Sequence, residues 1–217
     1  MSRGRFVSYE IKGEELWLLP QRAVYWPVKK TLLLADLHLG KGTYFRQNGL
    51  NVPFEILQRD LDKLDEIFLT VDVRRLILLG DLFHSTENKE WQIFGEWLLS
   101  KNLRVQLVMG NHDLLRQESY KKYGIEVYKK RFSDPPFVFS HKQIKTVKDD
   151  EYVFSGHIHP AIGLHGRAYN SVRVPCFWFG TEQCVLPAFG HFTGNENVKP
   201  LKGDKVFAIA GDEVLGV

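Results

Sequence analysis

Five short apolar runs constrain the fold of this sequence most, because each of them stops at a polar residue. The runs are TLLLAD, RRLILLGD, VQLVMGN, PFVFSH and EYVFSGH. Fully apolar runs of this length are typical of strands that are buried on both faces, as in a layered α/β fold. Since the carboxyl ends of such strands meet at one edge of a sheet, we expect the polar residues to form a single site there.

Other segments predict helices and a second sheet. Apolar residues recur near helical spacing from Pro53 to Leu69 and again from Lys89 to Ser100, which predicts two helices. The last third contains short β-like runs, VRVPCFWF, CVLPAFG and KVFAIAGDEV, which predict a second, more antiparallel sheet. With 217 residues and neither a linker nor an internal repeat, we expect a single domain over residues 1–217.

The composition is that of a soluble globular protein. It argues against a dedicated nucleic-acid-binding protein, a secreted protein and a membrane protein. The net charge of +3 fits a polyanionic substrate but is far below that of dedicated nucleic-acid-binding proteins. The N-terminus lacks the apolar core of a signal peptide and no run is long enough to span a bilayer, so we expect a cytoplasmic protein without a membrane partner. Cys176 and Cys184 lack a CxxC spacing, and we expect free thiols.

Basic residues concentrate between Arg116 and Lys148, in the segments KKYGIEVYKKR and HKQIKTVK. Two interpretations stay open. The segment is either a surface that tracks a phosphate backbone or a solvated charged face without a ligand.

The polar residues at the ends of the runs form five clusters that contain six of the eight histidines. The clusters are Asp36-Leu37-His38, Asp81 with His84, Asn111-His112-Asp113, Ser140-His141 and His157 with His159. In a strand, the period of two would point Asp36 and His38 the same way, so that both reach one cation. The same holds for His157 and His159 if their strand continues, whereas a turn would present both rings from one loop.

Mixed carboxylate, amide and imidazole ligands are typical of a divalent transition metal. They favour Mn²⁺, Fe or Zn²⁺ and argue against an all-oxygen Ca²⁺ site or a thiolate Zn²⁺ site. Two dications roughly 3.5 to 4 Å apart need a shared anionic ligand. Asp81, at the end of a central run, is the natural bridge between them.

The motifs DLHLG, GDLFH, GNHD, SH and GHIH, in this order, resemble the signature of the calcineurin-like metallophosphoesterases. The resemblance covers positions 36 to 159. It implies an α/β fold, the four-layer α/β/β/α sandwich of that family, with two divalent metals. One metal would be bound by Asp36, His38, Asp81 and His159, and the other by Asp81, Asn111, His141 and His157.

The implied reaction is hydrolysis of a phosphate ester by a water that bridges the two metals. His112, next to Asn111, would protonate the leaving-group oxygen as general acid; the alternative is that it only braces its loop. Asp113 is expected to hold that loop. His84 stands where many phosphatases of the superfamily carry an acidic residue, and in this it resembles the DNA-repair nuclease branch. It would contact a phosphodiester, orient His112 or pack behind the site.

The segment VRVPCFWF followed by LPAFGHFTGN resembles the C-terminal part of the bacterial ligase-associated DNA damage response endonucleases of the PdeM type. This resemblance implies a Mn²⁺-dependent phosphodiesterase or endonuclease acting on DNA, with an ATP-dependent DNA ligase and a helicase as partners. His191 departs from the small residue expected at its position, so we leave it outside the site. Arg167 and Arg173 would reach substrate phosphate or remain surface charges.

Two other functions stay open from the sequence. A phosphodiesterase of small cyclic nucleotides would use the same metal chemistry with a different pocket, and a scaffold subunit would dock a ligase or helicase while its metals are structural. Few residues are spare between the motifs for a large cap. That spacing favours an open cleft able to admit a polymer.

Overall fold

A computed structural model describes residues 6–43, 49, 56–84, 86–165, 171–191 and 193–217, with only the backbone described at 165 and 171. Three helices lie wholly within these ranges: α1 Ile56–Thr70, α2 Lys89–Lys101 and α3 Gln117–Lys122. Sixteen strands are formed by the same residues: β1 Val7–Ile11, β2 Glu14–Leu19, β3 Ala23–Trp26, β4 Thr31–Leu34, β5 Arg75–Leu79, β6 Arg104–Val108, β7 Ile125–Tyr128, β8 Arg131–Asp134, β9 Phe137–Ser140, β10 Tyr152–Ser155, β11 Pro160–His165, β12 Ser171–Phe179, β13 Gln183–Val185, β14 Glu196–Asn197, β15 Lys205–Ala210 and β16 Glu213–Gly216.

The first sheet contains seven strands in the order β1-β2-β3-β4-β5-β6-β7. Strands β1 to β4 are antiparallel neighbours, whereas β4, β5, β6 and β7 run parallel. The first three of the predicted apolar runs are β4, β5 and β6. Their carboxyl ends therefore meet at one edge of this sheet, as the sequence predicts.

The second sheet is mixed, with the order β14-β11-β12-β13-β10-β9-β8, with β15 joined to β12 and with β16 joined to β15. The C-terminal runs form β12, β13, β15 and β16, whose mutual pairs are antiparallel, so the predicted second sheet is confirmed. The runs PFVFSH and EYVFSGH form β9 and β10, which are parallel neighbours in this second sheet. The expectation that all five runs share one sheet edge is therefore wrong, because a strand buried on both faces has the same apolar pattern in either sheet.

Two apolar clusters hold the layers together. Along β4 and the residue that follows it, Leu32 and Leu34 belong to the cluster under the helices, while Leu33 and Ala35 belong to the cluster between the two sheets. This alternation is what a strand buried on both faces produces. The cluster between the sheets is rich in aromatic residues, namely Trp26, Phe137, Phe139, Tyr152, Phe154, Phe177 and Phe179. The described residues thus form helix, sheet and sheet layers, three of the four expected for the sandwich, and the α/β fold is confirmed.

The two predicted helices are confirmed within the described residues. The first is α1, described over Ile56–Thr70, and positions 53–55 of the prediction lie outside the described residues. The second helix begins after Asn88, whose side chain accepts a hydrogen bond from the Trp91 amide at 3.1 Å. Asn102 ends it in the left-handed conformation, with φ of 50°. No helix among the described residues is long and apolar enough to cross a membrane.

The two cysteines are buried free thiols, as expected.

Candidate metal centre

Most of the predicted site residues lie in loops that follow the strands, and not in the strands themselves. The strands β4, β5 and β10 end one or more positions before the first polar residue of each cluster. Positive φ angles, between 48° and 76°, are found at Asp36, His38, Asp81, His157 and His159. Such angles are uncommon for residues other than glycine, and they concentrate at functional sites where the surrounding structure enforces them.

These angles change the explanation of how two residue pairs meet. The period of two along a strand does not apply to Asp36 and His38, because both follow the end of β4 and have left-handed backbones. The two side chains do meet, but they do so from a loop and not from one face of a strand as predicted. For His157 and His159, the alternative of a turn that presents both rings from one loop is the one that holds.

Asp36, His38 and His159 form the first group of candidate ligands. Each offers one atom, and the three atoms lie within 4.8 Å of one another. His159 Nε2 is 3.4 Å from His38 Nε2 and 3.6 Å from Asp36 Oδ1. The group combines the end of β4 in the first sheet with the end of β10 in the second, so the site lies where the two sheets converge.

Asp81, His141 and His157 form the second group, again with one atom each within 4.8 Å. His141 Nε2 is 3.0 Å from His157 Nδ1 and 3.6 Å from Asp81 Oδ2. The same Asp81 oxygen is 3.8 Å from His38 Nε2 of the first group. Asp81 therefore lies between the two groups.

The buried carboxylate of Asp36 tests whether these residues fit metal ions. Asp36 is 0% exposed, and its Oδ2 accepts a hydrogen bond from the His157 amide at 2.8 Å. Its Oδ1 has no hydrogen-bond partner among the described residues. Leaving a buried charged oxygen without a partner is costly, and a cation bound at this oxygen would remove the cost. The donor set therefore fits a divalent cation in each group.

Backbone carbonyls contact the outer nitrogens of two rings. His141 Nδ1 is 3.0 Å from the Leu79 carbonyl oxygen, and His159 Nδ1 is 2.9 Å from the Gly194 carbonyl oxygen. A ring that donates from Nδ1 to a carbonyl keeps the lone pair of Nε2 available for a metal. These two contacts therefore direct the Nε2 atoms into the centre.

Burial lowers the pKa of His38 to about 3 and also lowers the pKa of His157. Both rings are therefore neutral near pH 7, which is the state that binds metals. Burial alone would raise the pKa of Asp81, but the His112 amide and the nearby imidazoles outweigh it, and the pKa is lowered. Burial would lower the pKa of His159, yet the adjacent Asp36 carboxylate outweighs burial and raises it. A larger fraction of His159 than of His38 is therefore protonated, and a metal that binds His159 must displace that proton.

His112 and His84 lie together beside the centre. Their ring centroids are 4.0 Å apart, and the His112 ring centroid is 5.6 Å from that of His38. The His112 amide donates to Asp81 Oδ1 at 2.9 Å. The loop that carries His112 is therefore tied to the carboxylate between the two ligand groups.

Asp113 holds this loop, as expected. Its carboxylate accepts hydrogen bonds from the amides of Leu82, Phe83 and Gly110 at 2.8 to 3.1 Å. Burial raises the pKa of Asp113 to about 6, against the effect of these three donors. The bonds join the loop after β6 to the loop after β5.

Asn111 lies on the open side of the second group. It is exposed, and together with His141 it lines a cavity of about 490 Å³. Two other residues that the sequence analysis considered line separate cavities. His191 contacts Asp60, with Nδ1 2.6 Å from Oδ1, and Arg173 is exposed along a separate cavity of about 450 Å³. Arg167 lies outside the described residues.

Lys41 is a charged neighbour of the centre that the sequence analysis did not single out. It is half-buried, and its charge acts on the imidazoles of His38, His84 and His159. Burial lowers the pKa of Lys41, and the Asp81 carboxylate offsets part of this effect. The signal in the sequence was the position of Lys41 directly after the DLHLG motif, which carries two candidate ligands.

Comparisons with known proteins agree with this geometry. A family model described as Calcineurin-like phosphoesterase matches residues 29–171. The crystal structure of Pseudomonas putida nuclease MPE is similar over 98% of this chain and 100% of its own, with a TM-score of 0.82 and 29% sequence identity. A protein of unknown function from Aquifex aeolicus is similar over 59% of this chain and 78% of its own, with a TM-score of 0.42 and 20% identity. That second likeness carries no argument. No curated protein matches the chain.

Proposed function

The chain belongs to the calcineurin-like phosphoesterase family and is a metal-dependent phosphoesterase, and on that premise we propose that it hydrolyses phosphodiester bonds of DNA. The observation that carries the proposal is the pair of ligand groups joined at Asp81. The similarity to a nuclease over nearly the whole chain supports a nucleic acid as the substrate.

In this proposal each group binds one divalent cation. Asp36, His38 and His159 would hold the first cation, His141, His157 and Asn111 would hold the second, and both would share Asp81. The distances of 3.8 and 3.6 Å from Asp81 Oδ2 to the two rings support the bridge. Its other oxygen is occupied by the His112 amide, which fixes the carboxylate plane. Family membership supports two divalent metals. For their identity we propose Mn²⁺, with Fe and Zn²⁺ also compatible with mixed oxygen and nitrogen ligands.

When bound, the two cations supply a water of lowered pKa as the nucleophile and neutralise charge on the phosphate. The chain itself supplies the remaining groups. His112 holds a proton beside the bridging carboxylate and gives it to the leaving oxygen of the substrate. His84 positions His112, since the two rings pack 4.0 Å apart. We propose His112 as the general acid and His84 as its positioning residue.

The biological setting that we propose is ligase-associated DNA repair in the cytoplasm, with an ATP-dependent DNA ligase and a helicase as partners. This part rests on the C-terminal segment LPAFGHFTGN and its likeness to the PdeM-type endonucleases. Co-purification of the tagged full chain with the ligase and the helicase tests the proposed partners. The absence of both proteins from the purified fraction would refute this part of the proposal.

The activity test compares wild type, Asp81→Asn and His112→Ala with Mn²⁺ on single-stranded DNA, bis-p-nitrophenyl phosphate, p-nitrophenyl phosphate and 2′,3′-cyclic nucleotides. Loss of an outer-shell partner costs about 10- to 100-fold in metalloenzymes, so Asp81→Asn should cost more than about 100-fold on every substrate. His112→Ala should lose about 100- to 10,000-fold on DNA. Its loss on p-nitrophenyl esters should be smaller, because p-nitrophenolate leaves without a proton.

Asp62→Asn is the matched control for Asp81→Asn, because Asp62 is exposed on α1 and bonds only Gln58 among the described residues. Turnover of cyclic nucleotides without DNA cleavage would make the chain a small-molecule phosphodiesterase. Two bound metals without turnover of any substrate would favour the scaffold function. An equal loss of His112→Ala on DNA and on p-nitrophenyl esters would exclude the general-acid role.

A further inference from the structure

A cavity of about 490 Å³ opens directly beside the second ligand group. It shares Asn111 and His141 with the metal centre. Its other lining residues come from the end of β6, the β7–β8 turn and the residues that follow β9, and include Lys129, Lys130, Arg131 and Lys142. We name it the flanking cavity.

Within the described parts of the chain, no carboxylate neutralises the four cations of the flanking cavity. None of its described lining residues is acidic, and none of the four forms an ion pair within the described ranges. Basic residues of the first sheet behave differently: Arg104 pairs with Glu126 at 3.0 Å, and Arg75 pairs with Asp134 at 2.5 Å. The cavity therefore concentrates positive charge where an anion would be attracted.

The charge of the flanking cavity reaches the metal centre. Lys142 directly follows His141 of the second ligand group, and both residues line the flanking cavity. An anion bound beside Lys142 would therefore be adjacent to the phosphate held by the second group.

The walls of the flanking cavity are partly apolar. Met109 and Ile144, both half-buried, line it together with the four cations. A nucleotide presents the same combination, an apolar base face and an anionic phosphate, and the volume lies within the usual range of about 300 to 1,000 Å³ for small-ligand sites. A base that is paired and stacked in a duplex cannot enter a cavity, so an occupying base must be single-stranded.

We propose that the flanking cavity binds the nucleotide next to the scissile phosphate of a single DNA strand. The inference rests on the proposed nuclease function and deepens it, because it makes a polymer a better substrate than a small diester. The inference also assigns different roles to the two halves of the basic segment KKYGIEVYKKR. Lys129 to Arg131 follow the carboxyl end of β7 and line the cavity. Lys121 and Lys122 are the last residues of α3, before the amino end of β7, and do not line it.

The test measures KM for a short single-stranded oligodeoxynucleotide and for bis-p-nitrophenyl phosphate, with Mn²⁺ and at several salt concentrations. The variants are Lys130→Ala, Lys142→Ala and their combination. The control is Lys121→Ala, an exposed lysine of the same basic segment outside the cavity. The double variant should raise KM for DNA about tenfold or more, and the slope of log KM against log salt should fall by about 0.7 for each phosphate that the variant no longer neutralises.

The increase in KM should be smaller on bis-p-nitrophenyl phosphate, which has no flanking nucleotide, and Lys121→Ala should behave as wild type on both substrates. Equal increases in KM on both substrates, or an increase in KM for DNA no larger than that of Lys121→Ala, would refute nucleotide binding in the flanking cavity. Either result would leave the nuclease function intact. A wild type that hydrolyses bis-p-nitrophenyl phosphate but no DNA would overturn the nuclease function, and the cavity's role with it.

Discussion

Lys41 and Lys142 of the flanking cavity bring positive charge to different ligand groups of the centre. Lys41 acts on His38, His84 and His159, around the first group, whereas Lys142 acts on His157 in the second. A phosphate held at the centre would therefore meet Lys41 whatever its ester groups are, while only a longer strand would reach the flanking cavity. Removing the charge of Lys41 should therefore weaken binding of every phosphodiester, whereas removing the charge of Lys142 should weaken binding of DNA alone.

Lys41→Met should raise KM about tenfold on both DNA and bis-p-nitrophenyl phosphate, as expected when one charge-assisted hydrogen bond to the phosphate itself is removed. Lys41→Arg should restore most of the loss, because the charge is kept. Steady-state kinetics with Mn²⁺ measures both variants, and Lys89→Met serves as control because Lys89 is exposed at the start of α2. A KM for Lys41→Met within twofold of wild type on both substrates would refute this hydrogen bond.

At the scale of secondary structure elements, glycines at the strand ends let the ligand loops approach each other. A Cβ atom on Gly156, just after β10, would lie 2.3 Å from Asp36 Oδ2 and 2.6 Å from the Ala35 side chain. A Cβ on Gly110, after β6, would lie 2.1 Å from Asp81 Oδ1. Each glycine therefore leaves room for a candidate metal-binding carboxylate. In both cases the glycine and the carboxylate follow different strands that are distant in the chain.

Gly156→Ala should displace Asp36 and so weaken the first metal site. A displacement of about 1 Å at a reacting group costs about 100-fold in rate, and we expect a loss of that order. Bound metal, counted by elemental analysis after dialysis, should fall towards one ion per chain. Gly216→Ala is the control, since its Cβ would meet only the Phe207 ring at 3.9 Å. Two retained metals and full activity in Gly156→Ala would contradict the argument.

At the scale of the whole molecule, the segment before His191 ties α1 to the metal centre. Lys63 on α1 donates to the Phe189 carbonyl oxygen at 2.5 Å, and the Phe189 amide donates to the Ala35 carbonyl oxygen at 2.8 Å. Burial lowers the pKa of Lys63 to about 7, although the Asp60 carboxylate opposes this. Lys63 lines a cavity of about 300 Å³, and the other ionisable groups around this cavity are Arg22, Glu66, His191 and Asp212.

Stability should therefore depend on the titration of Lys63. Between about pH 7 and about pH 10 the folded chain holds Lys63 neutral while the unfolded chain holds it charged, so the unfolded state binds more protons and stability rises with pH. Relative to Lys63→Gln, which keeps a donor but does not titrate, the wild type should gain roughly 2 to 4 kcal/mol over this range. Denaturant unfolding of both proteins at several pH values measures the difference. A difference that does not change with pH would exclude the buried titration.

Much of this protein was predictable because its signals are local. The five apolar runs became β4, β5, β6, β9 and β10, and the spacing of apolar residues predicted α1 and α2. The polar residues at the ends of the runs include all six that form the two ligand groups. Residue type, strand length and the order of motifs along the chain determine these features, and each can be found within a few consecutive residues.

The tertiary structure decided what depends on residues far apart in the chain. It assigned β9 and β10 to the second sheet, and it placed Asp36 and His38 on a left-handed loop rather than on a strand. It also brought Lys41 to the centre, joined Lys63 to Phe189, and combined Lys129 to Arg131 with Lys142 in one cavity. Strand pairing, burial and charge proximity depend on the packing of distant segments, and no local pattern encodes that packing.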